Sequence, residues 1–184
     1  MATRGPATLD DLMMVEKKAE LINGWVVRYP LMGHKPGSAA GEILFRLMDH
    51  EKVLGVGEAF GPCLVYAVPE LPSGRQSFCP DGSYHFGPWP DDRMSWIDGA
   101  PAFAVEIRVL EDYDFDSEPD RTAKRADYFL AGTKVVWDVD SLNEIVNSYR
   151  ADDPSSPVVF HTGDMADAEP ALPGWRLSVS DIFA

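Results

Sequence analysis

Cysteines and long apolar runs are scarce in this chain. Only Cys63 and Cys79 among the 184 residues are cysteines, so the sequence provides no disulfide framework and favours a reducing compartment. No segment approaches the roughly 18 consecutive apolar residues of a membrane span, and the N-terminus lacks the apolar core of a signal peptide. We therefore expect a soluble, cytoplasmic protein that does not associate with membranes.

Basic residues are also in short supply. Lysine and arginine number 16 against 30 aspartate and glutamate residues, which gives a formal net charge of −14. A chain this acidic is poorly suited to broad, sequence-independent binding of nucleic acid, although it can still carry a small basic patch.

The length of the chain suits one domain over residues 1–184, because domains usually contain roughly 100–200 residues.

Several common catalytic motifs are missing. The sequence contains no Gly-x-Ser-x-Gly, no phosphate-binding Gly-Lys-Ser/Thr and no Gly-x-Gly-x-x-Gly. Its four histidines are scattered and do not have the spacing of zinc ligands. A serine hydrolase, an NTPase and a dinucleotide-binding enzyme therefore have no support in the sequence.

The apolar pattern predicts more strands than helices. Asn23-Gly24 between two apolar-rich runs predicts a β-hairpin over residues 19–28. Helices are predicted over residues 8–14, 38–54 and 119–130, and loops over 30–37, 69–77 and 87–101. Further strands are predicted at residues 61–68, 79–84, 102–108, 134–139, 144–149 and 158–160, with a short strand and a turn at 177–183. This order mixes hairpins with one strand–helix–strand unit, which indicates an α/β or α+β fold with a mixed sheet.

Two acidic residues stand out in the predicted strands. Asp81 follows a proline in one strand, and Glu106 interrupts the nearly continuous apolar run of residues 102–108. A buried carboxylate is costly unless it is paired, protonated or bound to a cation. The two acids could converge on one divalent cation, which prefers oxygen ligands. Alternatively, Asp81 forms an Asx-type turn and Glu106 pairs with an arginine.

The strand and helix periodicities place these acids relative to other side chains. Alternation along a strand puts Glu106 on the same face as Arg108, and we expect Glu106 to be largely buried. Asp120, Lys124 and Tyr128 are spaced four apart and share one helix face. Lys124 either forms an ordinary exposed salt bridge or reaches the two acids, and the sequence leaves both alternatives open.

Six short motifs together resemble the Uma-type family of bacterial proteins, which have a restriction-endonuclease-like fold. They are Glu-Leu-Ile-Asn-Gly (20–24), Pro-Asp (80–81), Val-Glu-Ile (105–107), Asp-x-x-x-Lys-x-x-x-Tyr (120–128), Val-Trp-x-Val-Asp (136–140) and Asp-Ile-Phe (181–183). The resemblance extends over residues 8–183. It implies the core of the PD-(D/E)xK nucleases, which is a mixed β-sheet flanked by helices with metal-binding acids on adjacent strands.

The resemblance also implies roles for individual residues. Asp81, Glu106 and the backbone carbonyl of Ile107 would bind Mg²⁺ or Mn²⁺, and Glu20 would bind a second metal or orient the attacking water. The lysine of the superfamily would fall at Arg108, which cannot act as a general base but can bind a phosphate. Lys124 would then supply the lysine; otherwise the chain has lost its activity.

We therefore predict a metal-dependent endonuclease that hydrolyses DNA phosphodiester bonds. Small nucleases of this fold often act as dimers, and we expect a homodimer. The alternative is a catalytically inactive interaction protein with the same fold, because Arg108 replaces the lysine and residues 110–112 place negative charge beside the cleft. If Glu106 serves metal binding alone, Glu106→Gln should cost little stability without metal.

Overall fold

The computed structural model describes residues 6–114 and 117–184. Its helices are α1 (Leu9–Met13), α2 (His34–Leu54), α3 (Ser117–Leu130) and α4 (Val179–Ile182), and a 3₁₀ turn spans Leu110–Tyr113. The strands are β1 (Ala19–Ile22), β2 (Trp25–Arg28), β3 (Glu58–Phe60), β4 (Tyr66–Ala67), β5 (Ser77–Phe78), β6 (Gly82–His85), β7 (Ile97–Asp98), β8 (Phe103–Ile107), β9 (Val135–Asp140), β10 (Ile145–Arg150), β11 (Asp153–His161), β12 (Met165–Asp167) and β13 (Arg176–Ser178). None of the helices in the described ranges combines the length and apolarity needed to span a bilayer.

A six-stranded mixed sheet occupies the centre, with strand order β11-β10-β9-β8-β6-β3. The central pair β8–β9 is parallel, and the other neighbours in this sheet are antiparallel. Helix α3 connects β8 to β9, so this segment is the strand–helix–strand unit that the sequence predicts. The mixed sheet flanked by helices confirms the predicted fold class.

The hairpin β1–β2 forms a separate two-stranded sheet. Asn23 and Gly24 form its turn with φ angles of 52° and 72°. Positive φ at both central residues is the requirement of the tightest hairpin turn, which is why Asn-Gly is favoured there. An isolated bridge between Ile22 and Arg75 ties the hairpin to the rest of the chain. The predicted hairpin is thus confirmed.

The two faces of the central sheet pack against different helices. Val105 and Ile107 point into a core that includes residues of α2 and α4, whereas Ala104 belongs to a second core with Tyr128 of α3. Because side chains alternate along a strand, Glu106 lies on the same face as Ala104. The register of β8 therefore directs this carboxylate towards α3.

Some predicted boundaries are wrong. Helix α2 begins at His34, inside the predicted loop, because Pro36 lies in the first turn, where its missing N–H leaves no hydrogen bond unmade. The strand predicted over residues 61–68 pairs only at β4, because Cys63 has a φ of 75°, which is incompatible with a strand. Helix α3 begins at Ser117 instead of residue 119, and the loop predicted over residues 87–101 contains β7.

Candidate active site

The antiparallel pairing of β6 and β8 brings the two predicted acids together. The backbone N–H of Asp81 donates to the carbonyl of Val105 at 2.9 Å, which extends the ladder beyond Gly82. The carboxylate of Asp81 accepts a hydrogen bond from the backbone N–H of Ile107, also at 2.9 Å. Asp81 is therefore fixed at the side of β8, next to Glu106. Its side chain is 2 % exposed, whereas that of Glu106 is 22 % exposed.

Lys18 joins these acids, and the sequence analysis missed it. Its Nζ donates to Asp81 Oδ1 at 2.5 Å and lies 3.4 Å from Glu106 Oε2. One ammonium group therefore contacts both carboxylates. Lys18 precedes Glu20 by two residues, a spacing that puts two side chains on the same face only within a strand. Because Lys18 lies in a bend just before β1, strand alternation could not identify it.

Lys124 of α3 is the second lysine of the site. Its Nζ lies 2.8 Å from Glu106 Oε1 and 2.9 Å from Glu20 Oε1, and 4.7 Å from the centroid of the Tyr29 ring. One turn later on α3, the hydroxyl of Tyr128 donates to Glu106 Oε1 at 2.6 Å. The structure thus decides between the two alternatives for Lys124: it reaches the acids and is buried.

Glu20 is completely buried behind Lys124. Besides Lys124, it accepts hydrogen bonds from the backbone N–H of Cys79 at 3.0 Å, from the hydroxyl of Tyr29 at 2.6 Å and from the guanidinium of Arg75. A carboxylate has about four lone-pair sites, and these donors fill all of them. In this arrangement Glu20 holds Lys124 in place and has no free oxygen for another ligand.

The charges of the site shift its pKa values. Burial raises the pKa of Glu20, but Lys124 and Arg75 outweigh burial and lower that pKa to about 2. Burial lowers the pKa of Lys124, but Glu106 and Glu20 outweigh it and hold that pKa well above its usual value. Burial likewise raises the pKa of Glu106, and the two lysines, Lys124 and Lys18, bring it below its usual value. Glu20, Glu106 and Lys124 therefore all carry charge at neutral pH.

Arg108 faces a different carboxylate. Its guanidinium makes a bidentate contact with Asp138 at 2.8 and 3.0 Å, and it also lies 3.4 Å from Asp140. Among the described residues, the cations within salt-bridge distance of Glu106 are Lys18 and Lys124. The alternative in which Glu106 pairs with an arginine is therefore wrong. Lys124, which the sequence offers as a possible partner of the acids, is one of the two lysines that pair with Glu106.

Asp138 forms ion pairs with three guanidinium groups. In addition to Arg108, it is contacted by Arg121 at 2.6 Å and by Arg125 at 3.3 Å, both from α3. Asp138 is the β9 partner of Glu106 in the parallel ladder. This arginine cluster, which we define as the guanidinium groups of Arg108, Arg121 and Arg125, therefore lies one strand away from the acids.

One cavity of about 110 Å³ connects the acids with the arginine cluster. Five of its lining residues are basic and four are acidic, namely Lys18, Arg108, Arg121, Lys124 and Arg125 against Asp81, Glu106, Asp112 and Asp138. The whole chain has almost twice as many acidic as basic residues, 30 against 16. The cavity wall is thus richer in basic groups than the chain as a whole, and these groups pair with carboxylates that include Glu20, Glu118 and Asp140 outside the lining.

The donor set fits a single divalent cation. Asp81 and Glu106 supply carboxylate oxygens, the ligand type that Mg²⁺ and Mn²⁺ prefer, and one cationic nitrogen already contacts both. Within residues 6–114 and 117–184, no three or more His, Cys, Asp or Glu side chains are grouped as metal ligands. A cation at this position would therefore depend on two carboxylates, completed by backbone oxygen and water, and the carbonyl of Ile107 stays a predicted ligand.

Comparisons with known proteins agree with the resemblance noted in the sequence. The model of the Uma2 family, described as "Putative restriction endonuclease", matches residues 9–180. A solved structure from Anabaena variabilis, described as "a putative nuclease belonging to DUF820", superposes with a TM-score of 0.73 at 22 % identity over 97 % of this chain and 98 % of that chain. No curated protein matches. The chain therefore belongs to the Uma2 family of "putative restriction endonucleases" and has the restriction-endonuclease-like fold.

Proposed function

We propose that this chain is a metal-dependent nuclease of the PD-(D/E)xK type that hydrolyses phosphodiester bonds in DNA. The observation that supports this most strongly is that Asp81, directly before β6, and Glu106 of β8 meet at one cationic position. The lysines and arginines that line the cavity around them would contact a phosphate-bearing substrate. Membership of the Uma2 family points to the same class of reaction.

The two acids would hold the metal. Asp81 and Glu106, together with the backbone carbonyl of Ile107, would bind Mg²⁺ or Mn²⁺, which when bound polarises the phosphoryl group and lowers the pKa of an attacking water. The hydrogen bond from the Ile107 N–H keeps the Asp81 carboxylate oriented towards Glu106.

Lys124 would stabilise the negative charge that develops on the phosphoryl oxygens during attack. Its pKa lies well above the usual value, so it keeps its proton and acts by charge and not as a general base. Glu20 and Tyr29 hold its ammonium group against the site. We therefore assign Glu20 a positioning role, in place of the second metal or the water that the sequence analysis gave it.

The arginine cluster would bind the substrate backbone. Guanidinium groups recognise phosphates in a bidentate manner and never lose their charge at neutral pH. Arg108 presents a 19 % exposed side chain at the cavity wall, and Arg121 lines the same cavity. Arg108 would thus contact a phosphate, as the sequence analysis expects, and would leave the role of the superfamily lysine to Lys124.

A cleavage assay tests this proposal. Single- and double-stranded DNA would be incubated with the wild type and Asp81→Asn, in Mg²⁺, Mn²⁺ or EDTA, with Asp91→Asn in an exposed loop as a matched control. We expect metal-dependent cleavage by the wild type and the control, and its loss in Asp81→Asn. Identical behaviour of wild type and Asp81→Asn, including no cleavage by either, would contradict the proposed hydrolysis.

A second candidate function is that of an inactive interaction protein with the same fold. It is favoured by one observation: Lys18 and Lys124 already neutralise Asp81 and Glu106. Such a protein would cleave no DNA under any metal condition and would give no heat when titrated with Mn²⁺. A folded wild type that fails both tests would contradict the first function, and a defined oligomer or partner complex would then support the second.

A further inference from the structure

We infer that Lys18 is an internal cation that occupies the divalent-metal position between Asp81 and Glu106, and that its side chain must leave before a metal binds. This inference rests on the proposed metal site and goes beyond it, because it makes Lys18 a determinant of metal affinity. Neither the family motifs nor the sequence pattern assigns this residue a role.

The position of the ammonium group carries the argument. Lys18 Nζ lies 2.5 Å from Asp81 Oδ1 and 3.4 Å from Glu106 Oε2. Two carboxylates held this close repel each other in a poorly solvated site unless a cation lies between them. Lys18 meets that need without metal, and it does so at the position from which a divalent cation would contact both acids.

The two lysines of the site differ in what they lose when a metal arrives. Among the described residues, Asp81 and Glu106 are the ion-pair partners of Lys18, so a metal bound to both would take both partners away. Lys124 instead keeps its ion pair with Glu20, which is completely buried, while the Tyr29 ring lies near both ammonium groups, 4.7 Å from Lys124 Nζ and 5.6 Å from Lys18 Nζ. Lys18 is therefore the displaceable cation, and Lys124 is the fixed one.

The local backbone permits this displacement. Lys18 lies in a bend before β1, and its carbonyl accepts a hydrogen bond from the backbone N–H of Tyr29 at 3.0 Å. The backbone is thus tied down, and the flexible four-carbon side chain is the part of the residue that would have to move. The side chain is 15 % exposed and lines the cavity, which gives the ammonium group a path to solvent.

Occupation by Lys18 should weaken metal binding. When only a fraction of molecules has a free site, the apparent dissociation constant rises by the inverse of that fraction. If Lys18 occupies the site in about nine molecules of ten, its removal should tighten metal binding about tenfold. A metal would then bind only when it outcompetes the lysine, either at a high local concentration or with the help of a substrate phosphate that also binds the metal.

Calorimetric titration of the full chain with Mn²⁺ tests this inference. The variants are Lys18→Met, Lys18→Gln as a second variant if the first folds poorly, and Lys17→Met as a control. Lys17 is adjacent and exposed, so its replacement changes the net charge equally but touches neither acid. We expect a dissociation constant about tenfold lower for the Lys18 variants, and less than about twofold change for Lys17→Met, because exposed charges are screened.

The outcomes separate this inference from the proposed function. Saturable binding with equal or weaker affinity in both Lys18 variants would overturn the role of Lys18 and leave the metal site standing. Equal tightening by Lys17→Met would also overturn it, since net charge alone would then explain the effect. Absence of Mn²⁺ binding in the wild type and in every variant would overturn the metal site itself, and the role of Lys18 with it.

Discussion

The buried carboxylate of Glu20 offers a stringent test of the electrostatics of the site. Glu20→Gln keeps the shape of the side chain and removes its charge, which leaves Lys124 and Arg75 with one fewer buried counter-ion. The pKa of Glu20 falls from 4.5 to about 2 on folding. Since each unit of pKa corresponds to about 1.36 kcal/mol, the ionised carboxylate stabilises the folded state by about 3 kcal/mol.

The sign of the pH dependence follows from the lowered pKa. A carboxyl group whose folded-state pKa is depressed contributes its full stability above its unfolded pKa of 4.5, and loses it as the pH falls towards about 2. The difference in unfolding free energy between wild type and Glu20→Gln should therefore be about 3 kcal/mol at pH 7 and about 1.4 kcal/mol at pH 3.

Urea unfolding at the two pH values, followed by tryptophan fluorescence, measures this difference. Glu70→Gln is the matched control, because Glu70 is exposed and its replacement should change the unfolding free energy by less than about 0.5 kcal/mol. A difference for Glu20→Gln that is the same at pH 7 and pH 3, or that matches the control, would refute the assignment of Glu20 as a buried, ionised partner of Lys124.

Two further predictions concern the neighbouring carboxylates. In EDTA, Glu106→Gln should lower the unfolding free energy measured with urea by about 2 kcal/mol, because Glu106 bonds to Lys124 and Tyr128. This value replaces the small cost expected from the sequence. An unchanged unfolding free energy would contradict it. Asp138→Asn should lower the unfolding free energy by about 3 kcal/mol, because the substitution leaves three guanidinium groups without their shared carboxylate. Mn²⁺ titration of this variant should still show wild-type affinity, and a lost Mn²⁺ site would mean that Asp138 is itself a ligand.

Features set by local sequence could be predicted. The hairpin depends on the turn preference of Asn23-Gly24, and the N-cap of α1 depends on Thr8, which forms a capping box with Asp11. Glu106 was recognisable because a carboxylate in an apolar run is anomalous wherever the strand lies. These signals need no knowledge of which strands are neighbours.

Features set by long-range pairing could not be predicted. Lys18 meets Asp81, 63 residues away, and Arg75 meets Glu20, 55 residues away, through strand pairings that no local pattern encodes. The same holds for Asp138, whose three arginines converge only because β9 lies beside β8 under α3. Lys18, Arg75 and the arginines around Asp138 were therefore missed as partners, whereas Lys124 was among the partners expected for Glu106.

Mn²⁺ titration of the wild type and Asp81→Asn tests the central claim most directly. Asp81 accepts hydrogen bonds from Lys18 and from the backbone of Ile107, so replacing it with Asn removes one of the two carboxylates and keeps the shape of the side chain. Circular dichroism would verify that the variant folds. The account predicts saturable binding of about one Mn²⁺ per wild-type chain and its loss in Asp81→Asn. Equal Mn²⁺ binding by both proteins, or none by the folded wild type, would contradict a metal site formed by Asp81 and Glu106.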